Sequence, residues 1–373
     1  MCMINRLTSL SQQLKKQNPA KNSILEHLYL SQLLSNDEEQ IRKKIVELMV
    51  QVTQSSQFQL SIQYNQKTQQ QQQQYVDEFQ EKLKLQLQNI NNYSVSLKGS
   101  IFMEIARKSL EISVNHYEQI ALGYTSINMV GNIDQQKEFL LNIKQNIVKI
   151  SFAFANKNCY FESQLDQYLI SGDIQVCCTQ QASHFIIWFR NKQNQTKING
   201  FIIPISEIPK SYIQQVENDL DSDQIITKTI QFRKFIICKE YKLYFSDTER
   251  DYFDYIFKQS FLLFCWLFMG HILNYYEKID CLLENQIDKQ NLNQIKWPLS
   301  EMLNLLFRLS LLSEKNDVQS KQMIEFSQHF SQRIDSILSK VTSILANQKY
   351  QGLKEFENKT KFLFSLKTQY FPI

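Results

Sequence analysis

The chain has 373 residues, 43% of them hydrophobic, and a net charge of only +4. That length buries a large core and ordinarily divides into two or three domains or subdomains. No basic block interleaves with aromatics, so nothing in the composition points to nucleic acid. The seven glycines all stand alone, at Gly99, Gly123, Gly131, Gly172, Gly200, Gly270 and Gly352. Phosphate-cradling loops need clustered glycines so that backbone N–H groups can approach the anion, and neither GxGxxG nor a Walker loop is present. The seven cysteines (Cys2, Cys159, Cys177, Cys178, Cys238, Cys265, Cys281) form no CxxC, and their number is odd. They read as reduced, buried thiols of a non-secreted protein. His27, His116, His184, His271 and His329 have no second ligand at i+3 or i+4, so no metal site is expected.

Residues 1–34 carry Arg6, Lys15, Lys16 and Lys21, with no acid before Glu26, and Leu7, Leu10 and Leu14 on one helical face. This reads as a mitochondrial presequence or an extended N-terminal segment. Asn36-Asp37-Glu38-Glu39 opens a helix, with Asn36 as N-cap, Glu39 completing a capping box, and Ile41, Ile45, Leu48, Met49 and Val52 as the buried stripe. The glutamine tract 69–74 is assigned no function. Residues 75–90 form a second helix on Val76, Phe79, Leu83 and Leu87, and 98–129 are one long helical stretch. After the Gly131-Asn132 break comes a helix with Phe139, Leu140, Ile143 and Ile147 on one face.

The period then changes to strand-like. Residues 149–155 alternate; 168–170 lead into a turn at Ser171-Gly172-Asp173; 184–190 and 200–205 are short apolar runs. Residues 207–223 are a polar loop or short helix, and 225–238 return to strand. From Asp247 the chain is helical. Its most apolar run, 261–273 (FLLFCWLFMGHIL), is shorter than the ~20 residues a membrane span needs and reads as a buried helix of a bundle. Trp297-Pro298 starts another helix on Leu299, Met302, Leu303, Leu306 and Leu309, and 323–345 form a third. The succession of periods predicts an α+β protein with an N-terminal helical domain (35–148), a central antiparallel β-domain (149–245) and a C-terminal helical bundle (246–373).

The word order around the centre is specific. Gln135-Gln136-Lys137 with Phe139-Leu140, then Phe152-Ala153-Phe154-Ala155, Gly172, and Ala182-Ser183-His184-Phe185 follow one another. This resembles the helix-to-sheet junction of the acyl-CoA dehydrogenases, with its "GTEEQK…LP", "A-F-A-L-T-E-P", "G-x-K-x-W-I-T-N-G" and "A-D-x-x-x-V-F-A" elements. Glu104-Ile105-Ala106-Arg107 is similar to the family's "E-E-I-A-R", and residues 229–237 to its "L-x-F-x-x-V-x-V-P" strands, with Cys238 at the proline. Residues 348–352 stand near its "G-G-x-G-Y" corner, whereas 89–97 lack the glycines of its Gly-rich loop. The resemblance covers 35–364 and implies that family's architecture.

It also implies a glutamate base and an FAD, and each can be sought residue by residue. The base belongs to a C-terminal "Y-E-G-T" element; here the last acid is Glu357, and 359–373 contain no carboxylate. Members with the base on the first C-terminal helix are not matched either, because no acid lies between Asp254 and Glu277, and Phe261 and Leu262 fall near the position. The "T-E-P" letters fall on Ala155, Asn156 and Lys157, and the Trp and Thr of "W-I-T" on Val176 and Cys178. The pyrophosphate arginine falls near Ile279 or Asp280, after Tyr275-Tyr276. No catalytic, cofactor-binding or metal-binding residue is therefore assigned, and no FAD is expected.

A body that keeps the fold without the chemistry is expected to act through its surface. One branch of the family is associated with assembly of respiratory complex I, and the Gln-, Asn-, Lys- and Ile-rich composition resembles that of AT-rich ciliate genomes. The expectation is an inactive accessory subunit of a mitochondrial respiratory-chain complex, with cytochrome c oxidase placed ahead of complex I. It would sit peripherally at the inner membrane, held by protein subunits. Aromatics at 12% suit such interfaces. The alternatives are a divergent FAD-dependent acyl-CoA dehydrogenase and a membrane-anchored helical protein.

Overall fold

The computed structural model describes residues 34–54, 90–145, 147–155, 158–165, 167–179, 182–194, 197–216, 225–244, 250–282, 286–314, 320–347, 350 and 352–371. The expected presequence, the glutamine tract and the helix at 75–90 lie outside them, apart from Leu34 and Ile90. Helix α1 (Asn36–Gln54) begins one residue earlier in its capping than the sequence indicates. Ser35 is the cap: its hydroxyl accepts from the Glu38 N–H, and the Glu38 carboxylate takes the Ser35 N–H at 3.0 Å. Glu39 is thereby free to pair with Arg42 at 2.8 Å.

The helical stretch expected over 98–129 is divided. It comprises α2 (Val95–Lys108), α3 (Leu110–His116), an eight-residue π-helix (Tyr117–Tyr124) and α4 (Thr125–Val130). Ser109 makes the break. It is extended, with φ −148°, and its hydroxyl accepts from the Ile112 N–H, restarting the helix as an N-cap. Helix α5 (Ile133–Lys144) has a full capping box between Asn132 and Gln135. Phe139 and Ile143 are buried as expected, but the helix ends before Ile147, which is 65% exposed.

Seven strands follow: β1 (Ile150–Phe154), β2 (Tyr160–Ser163), β3 (Gln167–Thr179), β4 (His184–Asn191), β5 (Ile198–Pro204), β6 (Ile213–Val216) and β7 (Ile225–Cys238). Their order is β1-β4-β2-β3-β7-β6, with β5 on β4. Most pairs are antiparallel; β1 and β2 run parallel to β4. The turn expected at 171–173 is instead a bulge inside a continuous β3. Gly172 sits at φ +118°, where a Cβ would stand 2.3 Å from the Asn158 carbonyl oxygen. On β7, between Phe232 and Phe235 that flank the bulge, Lys234 takes φ +54°, so both strands absorb the kink. The polar segment 207–223 likewise yields a strand, β6, because its Ile213 finds Ile230 of β7.

Alternate residues of β1, β4 and β5 enter two different cores. Ala153, Phe185, Ile187, Phe189, Phe201 and Ile203 fill the sheet's own interior. Phe152, Phe154, Ile186, Trp188 and Ile202 join the helical core. Burial on both faces explains why these strands read as continuous apolar runs.

The C-terminal helices are α6 (Arg250–Leu282), α7 (Gln286–Glu314), α8 (Ser320–Asn347) and α9 (Leu353–Tyr370). Pro298 lies inside α7 rather than at its start. Burial of Ile295, Leu299, Met302, Leu303 and Leu306 along one face outweighs the lost backbone bond. The span Ile256–Asp280 of α6 is long and apolar enough to cross a membrane, yet 83% of its most apolar window is buried inside the fold. Two glycines let α6 lie against α2. A Cβ on Gly99 would stand 2.2 Å from the Trp266 ring, and one on Gly270 would stand 2.2 Å from the Met103 carbonyl oxygen. Trp266 is fully buried, and its indole N–H donates to Ser310 of α7 at 3.0 Å. The Gly270→Ala variant is expected to lose about 1–3 kcal/mol, seen as a lower urea midpoint at unchanged m-value.

Candidate functional site

The place to look for chemistry is the seam where sheet and helices meet. The π-helix forms its helical side. The Gln119 carboxamide donates to the Ile150 carbonyl at 2.6 Å and accepts from the Ile150 N–H at 2.9 Å. It thus makes both bonds that a neighbouring strand would make on the free edge of β1. Gly123 allows the approach, since a Cβ there would already be 3.1 Å from Ile150. On the other side, Tyr117 donates to the Ser260 carbonyl at 2.8 Å, and the Ser260 hydroxyl donates to the Ala121 carbonyl at 2.9 Å. These bonds hold the π-helix to α6.

A second glutamine pins α5 to the segment after β7. Gln135 Nε2 donates to the carbonyls of Glu240 (3.0 Å) and Lys242 (2.8 Å). Its Oε1 accepts from the N–H groups of Asn132 (3.1 Å) and Tyr244 (3.4 Å). The carboxamide's two donors and two lone pairs are all used. Gln135 is the first letter of the sequence motif that marked this junction.

Most of the positions matched to base and flavin contacts that the structure describes carry hydrocarbon side chains. Ala155 is fully buried at the end of β1, its N–H given to the Trp188 carbonyl at 2.8 Å. Val176 is fully buried in the sheet interior. The backbone of Cys178 pairs with Ile226; Asn156 and Lys157 lie outside the described residues. Phe261 and Leu262 are 1% and 0% exposed in the helical core. Ile279 is buried, and Asp280 is exposed and negatively charged. A flavin diphosphate needs N–H donors and cations; Ala155, Val176 and Ile279 carry neither, whereas Asn156 and Lys157 are an amide and an ammonium side chain. Sequence reading also passed over Tyr350-Gln351-Gly352-Leu353, directly ahead of α9. These residues, set above near the "G-G-x-G-Y" corner, also share two letters with "Y-E-G-T", and Gln351, an amide without a titrating proton, then stands at the glutamate letter. Gln351 itself lies outside the described residues.

Charged groups do gather between the helices, but they are matched to one another. Glu104 of α2 binds Arg42 of α1 at 2.9 Å and also Arg107, which reaches Glu277 of α6. Lys359 of α9 binds Glu111 at 2.8 Å and Glu355 at 2.9 Å. Burial alone would lower the Lys359 pKa; the two carboxylates outweigh it and hold it above the ordinary lysine value. Beside them His271 contacts the Thr360 hydroxyl at 3.1 Å and stacks on Phe356. Lys278 lies 4.4 Å from the centroid of the Tyr275 ring. Among the described residues no cluster of His, Cys, Asp and Glu is suited to a metal ion. Cys159 and Cys265 are buried thiols, Cys159 pushed up to about 12 by burial first and by Asp173 second. Cys238 departs from the expectation and is exposed, because it ends β7 on the outer side of the sheet.

No family model matches the chain, and no curated protein does. Solved structures do. A glutaryl-CoA dehydrogenase from Mycobacterium smegmatis, in complex with FADH2, superimposes with TM-score 0.73 at 12% identity, covering 94% of this chain and 95% of that one. Butyryl-CoA dehydrogenase from Megasphaera elsdenii gives 0.69 at 11% identity, over 87% and 93%. The flavoprotein nitroalkane oxidase gives 0.72 at 13% identity, over 91% and 94%. The fold is that of the acyl-CoA dehydrogenases. At these identities the likeness is one of architecture. The acyl-CoA dehydrogenase fold, with its seven-stranded sheet, replaces the reading of the chain as an all-helical protein.

Two expectations follow from the charged groups. Glu104→Gln removes the carboxylate that two largely buried guanidinium groups share while leaving Arg42 on Glu39 and Arg107 on Glu277, and the variant should lose about 1–3 kcal/mol in chemical denaturation. His116 is held at about 4 by burial, and its Nε2 has neither solvent nor a hydrogen-bond partner. His271 is held at about 3 by burial first, then by Lys359 and Lys278. Both titrate near 6.5 when unfolded. The unfolded chain therefore binds more protons below that value, so their contribution is complete above pH 6.5 and is lost as pH falls toward 4. Denaturation midpoints across that range should drop, and His271→Gln should make the drop shallower.

Proposed function

We propose that this chain is a non-catalytic protein of acyl-CoA dehydrogenase fold that works as a partner-binding body. The observation that carries the reading is the first C-terminal helix, where Phe261 and Leu262, which fall near the expected base position, are both shut inside the core. A general base must sit within hydrogen-bond reach of its proton, and a phenyl ring or an isobutyl group there takes none. Gln351 in the "Y-E-G-T" letters supports the same reading from the other end of the domain.

The finer proposal is an accessory subunit of a mitochondrial respiratory-chain complex, cytochrome c oxidase ahead of complex I, seated at the inner membrane through its protein neighbours. The basic, acid-poor N-terminal segment supports import. Large apolar side chains left in water, Ile133, Leu141 and Ile147 near α5 and Trp297 on α7, suit contacts with other proteins. The purified protein is expected to leave saturated acyl-CoA esters unoxidised with an artificial electron acceptor, and in mitochondrial extracts to comigrate with a large respiratory assembly on a native gel. Acyl-CoA-dependent dye reduction by a soluble homo-oligomer would replace this reading with a divergent FAD-dependent dehydrogenase.

A further inference from the structure

We infer that the outer face of α5, continued by Ile147 and Tyr244, rests directly on an anionic lipid surface. The inference goes beyond seating through protein neighbours, because it gives the chain a membrane contact of its own. It stands apart from the question of catalysis.

The first observation is where exposed apolar surface concentrates. Among the described residues eight large hydrophobic side chains are exposed, and four of them gather here. Ile133, Leu141 and Ile147 are 69%, 58% and 65% exposed. Tyr244, at 59%, gives its backbone N–H to Gln135 of α5 at 3.4 Å.

The second is that α5 cannot roll to hide them. Gln135, Phe139 and Ile143 are buried along its inner side, and the Gln135 carboxamide is bonded to backbone through both its nitrogen and its oxygen. Ile133, Lys137, Leu141 and Lys144 then share a sector of roughly 80° on the opposite side. Beyond the helix end, the Ile147 N–H donates to the Asn142 carbonyl at 2.9 Å, which fixes the turn that displays it.

The third is the chemistry of the stripe. Exposed aliphatics suit a protein or a bilayer; the lysines between them decide. Protein interfaces are enriched in aromatic residues, Met and Arg and depleted in Lys. The stripe Ile133-Lys137-Leu141-Lys144 alternates aliphatic and ammonium groups and has no Arg, Met or aromatic residue. On a bilayer each part has a place. The aliphatic groups enter the boundary between headgroups and acyl chains, the ammonium groups meet lipid phosphates, and a tyrosine sits at headgroup level. The acids of the helix, Asp134 and Glu138, fall past Leu141 on one flank of the stripe.

The test is flotation of the full chain with vesicles of phosphatidylcholine alone and of phosphatidylcholine with about a third phosphatidylglycerol. The chain should float with the anionic vesicles only, and salt should weaken the binding. Lys137→Glu should lower the partition coefficient roughly 20–30-fold, and Leu141→Ser about tenfold, both at unchanged Tm because the side chains are exposed. Lys361→Glu, an equal charge change on the exposed side of α9, should leave it unchanged. Failure of the full chain to float overturns the inference, as does an equal loss in Lys361→Glu, which would mean attraction by net charge alone. If Leu141→Ser floats as before but no longer comigrates with a respiratory assembly, the face is a protein contact and the lipid inference fails while the proposed function stands.

Discussion

The crossing of α2 and α6 is the contact on which the other layers depend. Two helix backbones come together there only because Gly99 makes room for the Trp266 ring and Gly270 makes room for the Met103 carbonyl. The indole then reaches through to Ser310, so α7 is registered against the same point. Glu104 and Arg107, on the same α2, carry the contact outward to α1 and α6 as an ion-pair chain. Each link constrains the next. A close backbone approach fixes the indole, and the indole fixes the third helix. The buried charges are then held within hydrogen-bond distance, where leaving one unpaired costs several kcal/mol, on the order of 3–5.

From that crossing the order passes to the sheet through the π-helix. Its first residue, Tyr117, is bonded to α6, its third, Gln119, to β1, and Gly123 lies on Ile150. An α-helix would place successive side chains 100° apart; the wider π turn changes that angle, and π segments are often kept where two directions must be served at once. Here the directions are the helical core and the strand edge. Gln119 thereby takes both peptide groups of Ile150 that face outward from the edge of β1.

The charged groups show the same economy. Lys359 is shared by Glu111 and Glu355, Glu104 by two arginines. Such groups are held in place by one another and are poor candidates for moving a proton. The buried imidazoles of His116 and His271 stay neutral through the physiological range and respond only to acid.

Local pattern was enough to read the layer order of this protein: helical period, then alternation, then helical period, each sustained over many residues. The motif at Gln135, the buried character of α6, and β4 and β5 within a residue or two of their bounds were legible for the same reason, since burial writes itself into apolar spacing. The tertiary structure decided where several apparent signals conflicted with packing. Ser109 ended a helix although the apolar stripe continued, because its hydroxyl could cap the next one. Pro298 failed to end one, because five buried side chains held the helix on both sides of it. Ser171-Gly172-Asp173 became a bulge rather than a turn once β7 supplied a partner strand with its own kink at Lys234. That Phe261 and Leu262 fall near the matched base position could be read from the letters alone. That Phe261 and Leu262 are sealed in the core, and that Gln119 closes the edge of β1, could not, because those facts belong to residues far apart in the chain that only folding brings within reach.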